Sequence, residues 1–136
     1  MILAACTDRD GGGTEPGISG SDWTLLIIDD DQLFRDAAIA LLDGAGFRVL
    51  GDAADGATGV EQAERIRPDV VLLDVNLPDI NGFELCRRLV DAGYEVVLCS
   101  VHEASDYGPL LAWSGARGFV PKVALTSQRL ARELDG

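Results

Sequence analysis

The sequence predicts a single α/β domain, built as a doubly wound parallel sheet with helices on both faces. The run VVLL at 70–73 is apolar at every position, which indicates a strand buried on both faces. Strand-like and helix-like segments alternate five times, and this alternation implies right-handed crossovers between parallel strands. The length of 136 residues suits one domain with one core.

Five strand–helix pairs follow one another from residue 23 onward. The predicted strands are 24–28, 47–53 with an interruption at Gly51, 70–74, 96–100 and 118–121. The predicted helices are 32–43, 56–67 with Asp55 as its cap, one from Asn81 or Gly82 to 91, 106–114, and one capped by Thr126 or Ser127 that runs to about 134. Gly108-Pro109 weakens the first turn of the fourth helix, and Pro121 suits an edge strand.

Composition limits the partners of this domain. Glycine-rich residues 1–22 are predicted to form a flexible leader, and residues 23–136 the folded domain. The formal charge of −12 argues against nucleic acid and anionic membranes, and favours a divalent cation or a basic protein. Three scattered cysteines argue against disulfides and structural zinc. Cys86 and Cys99 are predicted to be buried thiols in a reducing, cytoplasmic setting.

Functional groups stand at the ends of four predicted strands: Asp29 and Asp30, Asp74, Ser100 and Lys122. The carboxyl ends of parallel strands share one edge of a sheet, so these groups are expected to converge. Carboxylates about 4 Å apart repel by roughly 4 kcal/mol at an effective dielectric near 20. Lys122 and a magnesium or manganese ion would offset that repulsion. Asp74 then becomes a plausible nucleophile toward phosphorus, with the metal, Lys122 and Ser100 contacting the phosphoryl oxygens.

Taken in order, four motifs resemble the receiver domain of a bacterial two-component response regulator. They are LIIDDD at 26–31, LLDVNLPDING at 72–82, LCS at 98–100 and GFVPK at 118–122. The resemblance covers residues 23 to about 134. It implies a flavodoxin-like (βα)5 fold with the strand order 2-1-3-4-5.

The resemblance also implies a phosphoacceptor and a metal site. Asp74 would accept the phosphoryl group. Asp29, Asp30 and Asp74 would hold Mg²⁺, with Mn²⁺ as a possible substitute, and the backbone carbonyl of Asn76 would be a further ligand. The side chain of Asn76 would lie near the phosphoryl group and influence how long it persists.

A conformational switch is implied by the same resemblance. Ser100 would be the switch hydroxyl, Phe119 the switch aromatic and Lys122 the partner of the phosphate. Phe119 lacks the hydroxyl of the tyrosine that is frequent at this position, so packing alone would hold it inside. His102 follows Ser100 by two residues, and we hypothesise that it tunes the phosphoryl lifetime. A solvated loop histidine is the equally weighted alternative.

The expected partners follow from the receiver resemblance. A sensor histidine kinase or a histidine phosphotransfer protein would donate the phosphoryl group. The domain would not be an enzyme beyond its own phosphorylation and dephosphorylation. A stand-alone receiver would pass its signal to a downstream protein, by self-association or by onward relay. A fragment of a longer regulator with a DNA-binding output is the other expectation left open.

Two rival functions share parts of the pattern. Asp29-x-Asp31 and the acids in residues 51–55 resemble motifs of haloacid-dehalogenase-like phosphohydrolases, although Asp31 is expected to begin a helix. Phosphatase turnover that depends on Asp29 but not Asp74 would favour that rival. An inactive pseudo-receiver that only binds partners is the second rival, and the complete set of acids, Ser100 and Lys122 argues against it.

Overall fold

Five parallel strands and five α-helices alternate along residues 22–135, the part of the chain that the computed structural model describes. The strands are β1 (Trp23–Ile28), β2 (Phe47–Ala53), β3 (Val70–Asp74), β4 (Glu95–Ser100) and β5 (Gly118–Pro121). The helices are α1 (Gln32–Leu42), α2 (Gly56–Ile66), α3 (Gly82–Asp91), α4 (Pro109–Ser114) and α5 (Ser127–Asp135). Apart from residue 22, the predicted leader lies outside the described residues.

The sheet has the order β2-β1-β3-β4-β5, and every neighbouring pair is parallel. The predicted flavodoxin-like architecture is therefore confirmed. The pairing register shifts between Leu25 and Leu26, because Val49 and Gly51 oppose these two consecutive residues. The predicted interruption of β2 is thus a local irregularity in one continuous strand. β5 lies at an edge of the sheet, as Pro121 suggested.

Side chains from β3 enter two separate cores. Val71 and Leu73 pack on the face covered by α2, α3 and α4. Val70 and Leu72 pack on the opposite face, which α1 and α5 cover. Because a strand alternates its side chains between faces, an unbroken apolar run needs a core on each side. The prediction of burial on both faces is confirmed.

Polar caps decide where four helices begin. The carboxylate of Asp31 accepts from the backbone N–H groups of Leu33 and Phe34 in α1, and that of Asp55 accepts from the N–H of Thr58 in α2. The Asn81 side chain caps α3, which starts at Gly82. Thr126 Oγ1 accepts from the backbone N–H of the third residue of α5 at 3.0 Å. A side-chain oxygen at this position satisfies backbone donors that the helix leaves free.

The predicted helix 106–114 is wrong in its first half. A 3₁₀ turn occupies Ala104–Asp106, and α4 begins only at Pro109. Gly108 separates them with a φ of 55°. A residue before proline is disfavoured in the helical region, and glycine adopts this positive φ at little cost.

None of the helices within residues 22–135 combines the length and apolarity that crossing a bilayer requires.

Candidate functional site

Three acidic side chains meet at the carboxyl edge of the sheet. Asp29 and Asp30 follow β1, and Asp74 ends β3. A carboxylate oxygen from each lies within 4.8 Å of the others. Asp29 and Asp74 are 1% and 5% exposed, whereas Asp30 faces solvent. The predicted convergence of these acids is therefore present in the fold.

The two oxygens of the Asp29 carboxylate have different partners. Its Oδ1 accepts from the backbone N–H of Asp31 at 2.8 Å. Apart from the Lys122 ammonium, the described residues provide no hydrogen-bond donor to the buried Oδ2. Lys122 Nζ lies 2.7 Å from this oxygen and makes a charge contact. A metal ion at this oxygen would therefore have to share it with the ammonium or displace it.

Lys122 brings positive charge to both buried acids. It is the only lysine in the sequence, and its Nζ lies 3.8 Å from Asp74 Oδ2 as well as against Asp29. The ammonium also sits 4.5 Å from the centre of the Phe34 ring. Burial lowers the pKa of Lys122, but the contact with Asp29 and the charge of Asp74 outweigh that effect and raise it overall. The lysine therefore stays protonated at neutral pH.

The Asp74 carboxylate has a strongly perturbed pKa. Burial and then the charge of Asp29 raise the pKa of Asp74 from 3.8 to about 6. Lys122 and the backbone N–H of Asn76 lower it, but by less. One ammonium thus does not compensate for the clustered carboxylates. A shift of this kind marks a candidate functional group.

The donor set fits a hard divalent cation. Asp29, Asp30 and Asp74 offer only carboxylate oxygens, which suit Mg²⁺ or Mn²⁺ better than zinc. In the described residues, the Oδ2 of Asp29 has the Lys122 ammonium as its one close partner. This oxygen and the uncompensated charge around Asp74 both favour such an ion. Asn76 is exposed in the loop that follows β3, and its backbone forms an isolated antiparallel β-bridge with that of Asn81. The role of its carbonyl as a ligand stays a prediction.

Gly82 allows α3 to begin directly beside the acid. Its N–H donates to the Val75 carbonyl at 2.9 Å. A Cβ at this position would lie 2.5 Å from the carbonyl oxygen of Asp74 and from Cα of Val75. These are backbone atoms, so a side chain could fit only if the strand end that carries Asp74 moved.

Asp79 ties the loop after β3 to the start of α2. Its carboxylate oxygens accept from the backbone N–H groups of Gly56 and Ala57 at 2.8 and 3.0 Å. These two hydrogen bonds lower the pKa of Asp79. The Asp79 carboxylate therefore acts as a second cap at the start of α2, in addition to the local cap Asp55.

Ser100 is buried at the end of β4 and is bonded to the loop that follows. Its Oγ lies 2.6 Å from Tyr107 Oη and accepts from the backbone N–H of His102 at 3.2 Å. The Tyr107 ring packs against Phe83 and Phe119, with ring centres 5.1 and 5.8 Å away. Phe119 is 7% exposed, so its ring is already buried in the core.

The His102 ring is exposed, and its centre lies 6.3 Å from that of Tyr107. The contact of His102 with Ser100 is made through the backbone, and any residue except proline would supply the same N–H. A role of the imidazole in phosphoryl lifetime therefore stays a prediction.

Two residues of the site were missed from the sequence. Arg35 Nη1 donates to the backbone carbonyl of Asp29 at 2.6 Å, and Arg35 Nε pairs with Asp52 at 2.8 Å. A signal existed, because Arg35 shares a helical face with the buried residues Ala38 and Leu42. Tyr107 was also missed. It lies in a loop without periodicity, and nothing in the local sequence indicates its contact with Ser100.

The acids that the phosphohydrolase rival requires are engaged elsewhere. Asp31 caps α1, Asp52 pairs with Arg35, and Asp55 caps α2. In the described residues, the acidic cluster contains Asp29, Asp30 and Asp74 only. That rival therefore lacks its second catalytic acid.

A flavodoxin-like sheet whose carboxyl edge carries clustered acids, a lysine and a buried hydroxyl defines the receiver class of signalling domain. The chain belongs to the response regulator receiver domain family, whose sequence model matches residues 25–134.

Known relatives agree with this assignment. The chain is 37% identical over 101 residues to the transcriptional regulatory protein DegU of Brevibacillus brevis, covering 72% of this chain and 43% of DegU. It is 33% identical over 99 residues to the DNA-binding transcriptional activator EvgA of Escherichia coli K12, covering 71% and 48%. The chain thus spans about half the length of these curated relatives.

Solved receiver structures superpose closely. The signal receiver domain of NarL from Mycobacterium tuberculosis is 26% identical, with a TM-score of 0.74 and coverage of 86% of this chain and all of that one. The response regulator domain of Thermotoga maritima CheB is 27% identical, with a TM-score of 0.68 and coverage of 83% and 90%.

Proposed function

We propose that Asp74 is the phosphoacceptor of this receiver domain. The observation that carries the proposal is the setting of its carboxylate. It is buried at a strand end, lies 3.8 Å from Lys122 Nζ and belongs to a cluster with Asp29 and Asp30. Asp29 shares the burial, the lysine and the neighbouring acids, but Asp74 differs from it in ending the central strand β3 and in having a pKa raised to about 6.

The reaction transfers a phosphoryl group from a histidine nitrogen to a carboxylate oxygen. An Asp74 carboxylate oxygen attacks the phosphorus of a phosphohistidine, a P–O bond forms, the P–N bond breaks, and the imidazole leaves with the electron pair. Lys122 stabilises charge on one phosphoryl oxygen, and the Ser100 hydroxyl donates to another. Asp29, Asp30, Asp74 and the predicted Asn76 carbonyl would hold Mg²⁺ or Mn²⁺. The ion supplies charge neutralisation when bound.

The donor and the output follow from membership of a two-component family. We expect a sensor histidine kinase or a histidine phosphotransfer protein to phosphorylate Asp74 in the cytoplasm. Phosphorylation would shift a two-state equilibrium through Ser100 and Phe119, and a partner protein or self-association would read the result. Because the whole chain carries a formal net charge of −12, we do not expect the receiver domain to contact nucleic acid itself.

A small phosphodonor tests the proposal. The protein is incubated with acetyl phosphate and Mg²⁺, and its intact mass is followed over time. We expect one phosphoryl group on the wild type and none on Asp74→Asn. Asp91→Asn is the matched control, because Asp91 is an exposed acid at the far end of α3, and it should be modified like the wild type.

An unmodified wild type would support the pseudo-receiver alternative. Modification that persists in Asp74→Asn would place the phosphoacceptor elsewhere. Continuous hydrolysis of a small phosphate ester by the Asp74→Asn variant would support the phosphohydrolase alternative, provided that Asp29→Asn abolishes this hydrolysis.

A further inference from the structure

The Ser100 hydroxyl is committed to the loop that follows its own strand. The two hydrogen-bond partners described for its Oγ are Tyr107 Oη at 2.6 Å and the His102 backbone N–H at 3.2 Å. Both partners belong to residues 101–108, which we call the β4–α4 loop. Ser100 is fully buried, so water does not compete for these contacts.

The switch proposed above needs the same hydroxyl for a different partner. A serine hydroxyl has one proton, and a phosphoryl oxygen can only accept, so Ser100 must donate that proton to phospho-Asp74. The Oγ atom must therefore turn from the loop toward the end of β3. This movement removes a short hydrogen bond from Tyr107.

We propose that Tyr107 is a positioning residue that holds Ser100 on the β4–α4 loop in the unphosphorylated protein. Phosphorylation of Asp74 takes the hydroxyl from Tyr107, and the freed phenol moves together with the loop and α4. This inference rests on the proposed function and assigns the moving aromatic to Tyr107 instead of Phe119.

The surroundings of the two aromatics favour Tyr107 as the one that moves. Phe119 lies in β5, pairs with Leu98 of β4, and is already buried. Its ring has no polar atom to register the position of Ser100. Tyr107 is half-buried and follows a 3₁₀ turn. Its hydroxyl touches the switch serine directly.

Gly108 provides a joint immediately after Tyr107. It has a φ of 55°, and a Cβ placed there would meet no atom within 4 Å. The open space allows the loop to change course without a collision at this residue. Helix α4 starts at the next residue and carries the half-exposed Trp113. Movement of Tyr107 would therefore be transmitted to the surface of α4.

Fluorine NMR tests the movement directly, because the sequence contains only two tyrosines. Both are replaced by 3-fluorotyrosine, and beryllofluoride with Mg²⁺ is added as a stable phosphoryl mimic. We expect the Tyr107 resonance to shift, and Asp74→Asn to abolish the shift. Tyr94 is the internal reference, since its hydroxyl donates to the Ala63 carbonyl at 3.0 Å, away from the β4–α4 loop.

Removing the phenol tests the energetic link. Tyr107→Phe keeps the ring but frees Ser100, so beryllofluoride should bind more tightly by about two- to tenfold, the worth of one neutral hydrogen bond. Tyr94→Phe is the matched control and should leave the affinity unchanged. Equal or weaker binding by Tyr107→Phe would overturn the inference, because the phenol would then not oppose the switch.

The two proposals fail in different ways. If acetyl phosphate does not modify Asp74, the proposed function fails and this inference falls with it. If Asp74 is modified but the Tyr107 resonance stays where it was, only the inference is overturned. An equal shift of the Tyr94 resonance would also overturn it, because the change would then extend to a tyrosine that lies outside both the β4–α4 loop and α4.

Discussion

Lys122 Nζ lies 2.7 Å from Asp29 Oδ2, closer than its 3.8 Å distance from Asp74 Oδ2. The ammonium is therefore bound mainly by an acid of the metal cluster, and the proposed phosphoacceptor is the more distant partner. An incoming cation that takes Asp29 Oδ2 would leave Lys122 available to a phosphoryl oxygen on Asp74. The lysine and the cation would thus compete for one oxygen and cooperate in the proposed transfer.

The pKa of Lys122 should be measurable without ambiguity. It is the only lysine, so protein labelled with ¹³C at lysine Cε should give one lysine signal. Contacts with Asp29 and Asp74 outweigh burial, so this signal should titrate above 10.5. Asp29→Asn should lower the pKa, whereas Asp36→Asn, at an exposed position on α1, should not. A wild-type value at or below 10.5 would contradict the ion pair.

Asp74→Asn should stabilise the protein in Mg²⁺-free buffer above pH 6. The pKa of Asp74 is about 6 in the folded state against 3.8 as the reference, so the folded protein binds this proton more tightly than the unfolded chain. Stability contributed by the protonated acid is therefore lost as pH rises from about 4 to about 6. Two pKa units correspond to at most about 3 kcal/mol.

Urea unfolding at pH 4 and pH 7.5 checks this prediction. The variant should exceed the wild type at pH 7.5 and match it closely at pH 4. Asp91→Asn, at an exposed acid, is the control and should show no comparable gain. Destabilisation by Asp74→Asn at pH 7.5 would mean that the carboxylate is better compensated than the geometry indicates.

Magnesium should raise the thermal stability of the wild type. A ligand that binds only the folded state at ten times its dissociation constant adds about 1.4 kcal/mol. Asp29→Asn should lose most of this gain, since it removes one of the two buried acids of the cluster. Asp36→Asn should retain it. Chelation with EDTA should return the wild type to its starting melting temperature, and an equal Mg²⁺ response in Asp29→Asn would contradict the site.

Gly82→Ala should damage both stability and the site. The added Cβ meets backbone atoms of Asp74 and Val75 at 2.5 Å, and such overpacking typically costs about 1–3 kcal/mol. Gly44→Ala is the comparison, because Gly44 has a φ of 84° but open space around it. Both variants should lose stability in urea unfolding, but only Gly82→Ala should also slow phosphorylation by acetyl phosphate. Equal phosphorylation rates would show that Asp74 tolerates the displacement.

Sequence alone was sufficient for the sheet and for the clustered acids and the lysine that it brings together. The unbroken apolar run at 70–73 required burial on both faces, and alternation with helices required parallel strands. Once the strands are parallel, their carboxyl ends must share an edge. Asp29, Asp74 and Lys122 therefore meet as a consequence of topology, without any need to know their contacts in advance.

The tertiary structure decided which partner each polar group takes. Asp52 belongs to a possible acidic motif in the sequence but pairs with Arg35, and Arg35 in turn supports Asp29 from α1. Tyr107 contacts Ser100 from a loop, and in a loop the spacing of residues in the sequence does not indicate where a side chain points. Periodic burial determines backbone elements locally, whereas hydrogen-bond partners depend on how distant elements pack. For this reason the fold could be predicted from the sequence, whereas the contact that positions Ser100 could not.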